Sequence, residues 1–198
     1  MTVLPIFPLE SALMPQMPLL LRVFEPRYLA LLSHVLEGRG EFGVVLIERG
    51  SEVGGGDQRF GIGTVARVAQ VAPEGAWMSV LAHGVRRFDV DAWLPDDPYP
   101  RADVRWRPAL RWEPGFEPVR ARAERVVRGA LTRASEFVPQ AWTPDVELAD
   151  DPVQSCWQLA GISPLGPLDQ LALLRSGSVE ELLARLIEFT EDAAASWS

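Results

Sequence analysis

Lysine and asparagine are absent from this sequence of 198 residues, and all 19 of its basic side chains are arginines. Arginine stays protonated at physiological pH, which makes it a poor general base and prevents it from forming a Schiff base. A P-loop needs a lysine to reach the nucleotide phosphates, and a Ser-Lys protease dyad needs a lysine to activate its serine. The sequence therefore predicts neither of these two activities.

Histidine and cysteine, which supply many acid–base, nucleophilic and zinc-binding groups, are nearly absent as well. His34, His83 and Cys156 come from three distant segments and lack the close spacing of metal ligands, and no Gly-x-Ser-x-Gly motif is present. We therefore predict no catalytic residue, no metal and no cofactor, and we expect all three side chains to be structural. A hydrolase would need a pocket that unites one of the histidines with carboxylates.

Long apolar runs are missing too. The longest, such as residues 18–21 and 44–47, are far too short to cross a bilayer. No basic region precedes an apolar stretch at the N-terminus, as it would in a signal peptide. One cysteine cannot form an internal disulfide and fits a reducing compartment. We predict a cytoplasmic protein without a membrane partner.

Positive charge is in deficit, since the net charge is −8. Residues 1–110 hold 11 arginines against 13 acidic residues, and residues 111–198 hold 8 against 14. Proteins that bind nucleic acid usually carry a basic field, because counterion release supplies much of their affinity. The charge balance therefore argues against a nucleic-acid partner.

Glycine-rich nucleotide loops are also missing. Gly61-Ile62-Gly63 contains the first two glycines of a dinucleotide-binding turn, but no third glycine follows at the required spacing. The next segment has the pattern of a strand rather than of a helix. We expect these glycines to serve a bulge or a turn.

The first part of the chain has the pattern of a β-rich domain. Short apolar segments bounded by Gly and Pro predict strands at residues 3–7, 19–24, 42–47, 61–71, 77–82, 85–93 and 102–112. Pro26 suits the first position of a helix, and Gly38 suits its end. Many short strands, Gly/Pro turns and a single helix are typical of a closed or nearly closed barrel.

After Pro114 the apolar period changes from that of strands to that of helices. Helices are predicted at residues 119–134, 152–160, 168–174 and 179–194, with a linker rich in Pro and acidic residues at 138–151. Ser178 and Glu181 have the spacing of a capping box, in which each side chain accepts a hydrogen bond from the other residue's backbone. The patterns together predict an α+β protein with a β domain at residues 1–114 and a helical subdomain at 115–198.

Five separated segments carry a recognisable pattern: LPIFPL at 4–9, PLLLRVFEPRY at 18–28, FGVV at 42–45, GTVA at 63–66 and HGVRRF at 83–88. In this order and spacing they resemble the amino-terminal domain of Lon proteases, and more closely its stand-alone bacterial relatives. The segment QLALL at 170–174, followed by the capped last helix, also resembles the family. One departure is Met14-Pro15-Gln16, where the family commonly has Phe-Pro-Gly, because glycine adopts a positive φ most easily.

The resemblance implies a PUA-like β-barrel with one inserted helix, followed by a C-terminal helical bundle. In Lon proteases this region helps to select and hold protein substrates, whereas ATP hydrolysis and proteolysis belong to later domains. The implied function is a non-catalytic module that binds unfolded or apolar polypeptide segments, with a separate ATP-dependent protease as a further candidate partner. RNA binding stays open as the alternative, because PUA-like barrels occur in RNA-associated proteins.

The candidate peptide contacts are large or adaptable side chains, expected on a surface between the barrel and the helical tail. They are Met14, Met17, Tyr28, Trp77 and Arg87. Arg86 and Arg87 are expected to face opposite sides of their strand, so that only one of them can face a given groove.

The Phe-Glu-Pro-Arg-Tyr motif has a structural interpretation. Glu25 would complement the N-terminus of the helix that begins at Pro26, and Arg27 would pair with a carboxylate. Tyr28 would anchor the helix on the barrel.

Overall fold

The computed structural model describes residues 2–52 and 56–196. The segment Gly54-Gly55-Gly56-Asp57 predicts a turn between strands, and Gly54 and Gly55 lie outside the described residues. The chain separates into two compact units, Met1–Ala109 and Leu110–Ser198. This division falls just before residue 114, where the sequence predicts the boundary between the β domain and the helical subdomain. The assignment of these two parts as independently folding domains stays a prediction. Strands occupy the first unit and helices most of the second, a mixed α+β fold.

The first unit is built on a mixed sheet. Its described elements are β1 (Thr2–Leu9), β2 (Pro18–Val23), α1 (Pro26–Glu37), β3 (Glu41–Arg49), β4 (Gln58–Glu74), β5 (Trp77–Leu94) and β6 (Arg101–Trp106). The strand order is β2-β5-β4-β3-β1-β6, and β6 also pairs with β5. Only β1 and β3 pair in parallel among these strands. The strands β5, β4, β3, β1 and β6 therefore form a closed cycle, because each pairs with the next and β6 pairs with β5.

The strands differ from the prediction in their lengths. The strands predicted at 77–82 and 85–93 are one continuous strand, β5, whose first half pairs with β2 and whose second half pairs with β6. Gly84 lies between these halves, and a Cβ there would overlap the carbonyl oxygen of Met14. This glycine therefore marks a close backbone approach rather than a break between strands. The strand predicted at 102–112 ends at Trp106.

Gln16 occupies the turn in which the family commonly has glycine. Its φ is 68°, in the left-handed region that a non-glycine residue seldom adopts. Backbone hydrogen bonds on both sides hold the turn against β5: Gln16 N–H donates to the Gly84 carbonyl at 2.8 Å, and Gly84 N–H donates to the Met17 carbonyl at 2.9 Å. Gln16 therefore holds a turn conformation that glycine adopts at lower cost.

Gln16→Gly is expected to stabilise the protein by about 1 kcal/mol, because the left-handed conformation costs an L-residue about 1–2 kcal/mol and the greater freedom of unfolded glycine offsets part of the gain. Urea unfolding of the two proteins would measure the difference. A variant that is less stable than the original would contradict the assigned strain.

The core of the first unit lies inside the cycle of strands. Its central cluster consists of Leu4, Ile6, Val45, Val65, Phe88, Ala102 and Val104, all of them buried. Helix α1 covers part of the sheet with one apolar face, formed by Tyr28, Leu31, Leu32 and Val35. The prediction that α1 begins at Pro26 and ends before Gly38 is confirmed.

The second unit is helical. A short 3-10 turn (Pro114–Phe116) leads into α2 (Glu117–Ser135), and α3 (Pro152–Ile162), α4 (Pro167–Leu174) and α5 (Val179–Ala195) follow. Each helix buries one apolar stripe, such as Leu182, Leu183, Leu186 and Ile187 on α5. Every described helix is too short or too polar to span a bilayer.

The predicted capping box at α5 is half correct. Ser178 Oγ accepts a hydrogen bond from Glu181 N–H at 3.1 Å, as predicted. The carboxylate of Glu181 accepts from the N–H of Gly177 at 2.6 Å, one residue earlier than a capping box requires. Both side chains thus accept a backbone N–H at the start of α5, but Glu181 accepts from Gly177 and not from Ser178.

Candidate functional site

Four of the five predicted peptide contacts are buried. Met14, Met17, Tyr28 and Arg87 are each less than a tenth exposed, whereas Trp77 is half-buried. All five belong to the first unit. Burial gives the first four a structural role, and their contact with a peptide stays a prediction.

The Glu-Pro-Arg-Tyr segment forms a local structural unit at the start of α1. Arg27 lies 3.1 Å from the Glu25 carboxylate and stacks over the Tyr28 ring at 4.5 Å. Glu25 occupies the N-cap position without a side-chain hydrogen bond to the helix, so its carboxylate serves Arg27 instead. The Tyr28 ring stacks on Phe7 of β1 at 4.1 Å, which anchors the helix on the sheet.

The Tyr28 hydroxyl is buried and has no hydrogen-bond partner in the described part of the chain. Burial raises the pKa of Tyr28 to about 12, Arg27 opposes the shift, and the carboxylates of Asp57 and Glu25 add to it. Tyr28 lines a small cavity of about 50 Å³ with Phe7, Arg22, Val23, Phe24, Glu25 and Glu52. That volume is enough for a water molecule.

Tyr28→Phe is expected to reduce the loss of stability at alkaline pH. Since the folded pKa of about 12 exceeds the usual tyrosine pKa of about 10 in an unfolded chain, the unfolded chain loses its proton first, and the stability present below about pH 10 declines as pH rises to about 12. Phenylalanine has no proton to lose, and at neutral pH its introduction breaks no hydrogen bond. Urea unfolding of both proteins at neutral pH and across that window would show the difference, and parallel pH curves would contradict it.

Arg86 and Arg87 of β5 have different surroundings, and their predicted placement on opposite faces stays a prediction. Arg87 is buried and donates a hydrogen bond to the Pro108 carbonyl at 3.2 Å. Arg86 lies over the Trp106 ring at 4.2 Å and donates to the Glu41 carboxylate at 2.9 Å. Arg86, rather than the predicted Arg87, therefore faces a surface groove.

That groove, which we call the edge groove, runs beside the first residues of β1 and has a volume of about 260 Å³. It is lined by Thr2, Val3, Leu4, Pro5, His34, Val35, Gly38, Arg39, Glu41, Arg86 and Trp106. Val3 is 53% exposed and Trp106 is 37% exposed, so the groove offers apolar surface at two points.

His34 and Glu41 both line the edge groove. A pocket that contains a histidine and a carboxylate is what a hydrolase would need. Glu41, however, accepts hydrogen bonds from Arg67 at 2.6 Å and from Arg86 at 2.9 Å. Both carboxylate oxygens of Glu41 are therefore engaged by guanidinium groups. Among the described residues that line the groove there is no serine or cysteine.

A second apolar surface, which we call the β2 face, lies on the outer side of β2. Leu20 is 70% exposed and Phe24, directly after the strand, is 54% exposed. Between them Arg22 lies over the ring of Trp77 at 4.9 Å. The alternation of exposed Leu20, Arg22 and Phe24 with buried Leu21 and Val23 could have identified this surface from the sequence.

Other clusters of polar groups have structural explanations. Arg59 bridges Asp57 and Asp96 at 2.5 and 2.7 Å and lies over Trp93 at 5.2 Å. Burial raises the pKa of Cys156 to about 11, so the thiol is a poor nucleophile. Within residues 2–52 and 56–196, no three His, Cys, Asp or Glu side chains are grouped as metal ligands would be.

Two solved structures define the fold class. The Lon N-terminal domain protein from Xanthomonas campestris is 25% identical to this chain with a TM-score of 0.69, and the match covers 96% of this chain and 99% of that one. The N-terminal domain of the Mycobacterium avium complex Lon protease is 18% identical with a TM-score of 0.68, over 96% and 99% of the two chains. The chain thus has the α+β fold of Lon N-terminal domains.

The family model for the substrate-binding domain of the ATP-dependent protease La, or Lon, matches residues 3–192. The chain therefore belongs to the family of Lon substrate-binding domains. No curated protein sequence matches it.

Proposed function

We propose that this protein is a non-catalytic module that binds unfolded or apolar polypeptide segments. The observation that carries the proposal is the match of the Lon substrate-binding domain to nearly the whole chain. The arrangement of the described polar residues supports the same conclusion, since the Arg59 cluster and Glu41 are occupied by ion pairs.

The β2 face is the proposed main contact surface. Leu20 and Phe24 project from the strand into solvent, and the half-buried Trp77 lies beside them under Arg22. Aromatic and aliphatic side chains of this kind bind apolar segments by removing both surfaces from water, without requiring one sequence. Of the predicted contacts, Trp77 is thus the one that reaches this surface directly.

We further propose that the closed cycle of strand pairings is a PUA-like β-barrel, followed by a helical bundle in the second unit. A cytoplasmic location is proposed because the single cysteine, Cys156, is buried and free. A separate ATP-dependent protease is a candidate partner, because unfolded polypeptides held by a non-catalytic module need another protein to degrade them.

Leu20→Asp combined with Phe24→Asp is expected to weaken binding of a labelled, permanently unfolded polypeptide at least about tenfold. A charge on each of two exposed positions opposes apolar contact, and losses of more than 1 kcal/mol are usual at central contacts. Fluorescence anisotropy would measure the affinity. Both residues are more than half exposed, so the fold should be preserved.

Leu168→Asp is the matched control for that experiment. Leu168 is 66% exposed and belongs to the second unit, away from the β2 face in sequence. Its variant is expected to bind as the original protein does. Equal losses in the control and the double variant would exclude the β2 face as the specific contact surface.

A further inference from the structure

The pairing of β1 changes along its length. Residues Thr2 to Pro5 pair with β6, in the register Thr2↔Val104 to Pro5↔Arg101. The parallel pairing with β3 begins only at Ile6, which lies opposite Gly43, and continues to Leu9. Among the described residues, no strand therefore pairs with the first half of β1 on its β3 side, and the edge groove lies along this half.

The direction of the backbone groups on this half follows from the register. Ile6 N–H donates to the Pro100 carbonyl at 2.8 Å, and Thr2 N–H donates to the Asp103 carboxylate at 2.9 Å, so both point toward β6. Because successive residues of a strand direct their backbone groups to opposite sides, the N–H and C=O of Val3 point toward the edge groove. Pro5, the next residue in this orientation, has no N–H to offer.

The surroundings of Val3 suit an added strand. Val3 is 53% exposed, and Trp106 provides further apolar surface in the same groove. An unpaired strand edge is a template for another extended chain, whose backbone supplies affinity and whose alternate side chains fill the neighbouring pockets.

The charges beside the groove indicate which chain would fit. Arg39 and Arg86 line the groove and Glu41 is the one acidic residue among its described lining residues, so the lining carries one positive charge in excess. The carboxylate of Asp103 lies at the Thr2 end, where it accepts the Thr2 N–H. A flanking carboxylate on the bound segment would meet these arginines, with charge-assisted hydrogen bonds available to it.

We propose that the edge groove binds an extended polypeptide segment by β-strand addition to Thr2–Pro5, with Val3 exchanging backbone hydrogen bonds with it. The segment has apolar side chains at alternate positions and a carboxylate at one flank. The inference rests on the proposed function and adds how the polypeptide is held. It depends on backbone groups, whereas the β2 face depends on side chains.

The test uses labelled peptides of alternating valine and threonine flanked by aspartate, titrated against the full protein by fluorescence anisotropy. Two further peptides carry N-methyl groups on alternate residues, in one register or in the other. Backbone pairing predicts at least about tenfold weaker binding for one register only, because only one set of N–H groups faces β1. Equal affinity of all three peptides would overturn the proposal.

Variants of the protein give an independent measurement. Val3→Pro removes the N–H that faces the groove and is tolerated at a strand edge, and it is expected to weaken binding at least about tenfold. Val3→Thr keeps that N–H and is the matched control, with binding expected to stay within about threefold. Slower exchange of the Val3 amide on peptide addition, followed by NMR, is expected in the original protein, and an unchanged rate would contradict the pairing.

The failure of this inference differs from a failure of the proposed function. If an unfolded polypeptide binds but the N-methylated peptides and Val3→Pro show no loss, strand addition is wrong and polypeptide recognition stands. If neither the unfolded polypeptide nor the alternating peptides bind, both are wrong.

Discussion

Phe88→Ala is expected to destabilise the first unit by about 4 kcal/mol. Phe88 is fully buried at the centre of the cluster formed with Leu4, Ile6 and Val65. Its removal would leave a cavity that the surrounding strands cannot close, because β5 is fixed by pairing to both β4 and β6 at this position.

The control is Phe24→Ala, which removes the same side chain from a position that is 54% exposed. Its effect on stability is expected to stay within about 0.5 kcal/mol. Because two units need not unfold together, hydrogen exchange of the β4 and β5 amides is the better measurement, since it reports on the first unit alone. Equal losses in the two variants would show that Phe88 is not the centre of the core.

Gly63→Ala is expected to cost about 3 kcal/mol, at the upper end of overpacking effects, because the backbone itself would have to move. A Cβ at Gly63 would overlap the carbonyl oxygen of Val44 on the neighbouring strand and lie 2.7 Å from the Phe88 ring. Such a clash with a fixed carbonyl and a buried ring cannot be relieved by turning a flexible side chain.

Gly61→Ala is the matched control two positions earlier in the same strand. A Cβ at Gly61 meets no atom within 4 Å, so the variant is expected to be as stable as the original protein or slightly more stable. Urea unfolding of the two variants, with hydrogen exchange of β4, would give the comparison. Losses of similar size would contradict the assignment of Gly63 to a close approach of strands.

These two glycines show where sequence reasoning stops. Gly61 and Gly63 look alike in the motif Gly61-Ile62-Gly63, and the absence of a third glycine was enough to exclude a dinucleotide loop. Which of them is constrained depends on Val44 and Phe88, which approach through pairing between distant segments. No local pattern carries that information.

Local signals predicted the helices well, because the residues that start and end a helix lie close together in the sequence. The start of α1 at Pro26, its end before Gly38 and the capped start of α5 all depend on residues within one turn. The continuity of β5 through Gly84 was missed, because this glycine serves the approach of Met14 from another part of the chain. The lengths of the strands therefore could not be predicted from local sequence, because they depend on contacts with distant segments.

The candidate site was predictable only in part. The Tyr28 ring stacks on Phe7 of β1, while the peptide contact predicted for Tyr28 stays a prediction. Leu20 and Phe24 were missed although the alternation along β2 places them on the outer face. The edge groove depends on the register of β1 with two other strands, which no segment of the sequence specifies by itself.

The most direct test of polypeptide recognition is fluorescence anisotropy of a labelled, permanently unfolded polypeptide titrated with the protein, beside a structured RNA hairpin at the same salt concentrations. We expect saturable binding of the polypeptide that persists at moderate salt, because the contact is mainly apolar, and no comparable binding of the hairpin. Salt-sensitive binding of the hairpin without binding of the polypeptide would contradict it and favour the RNA-binding alternative.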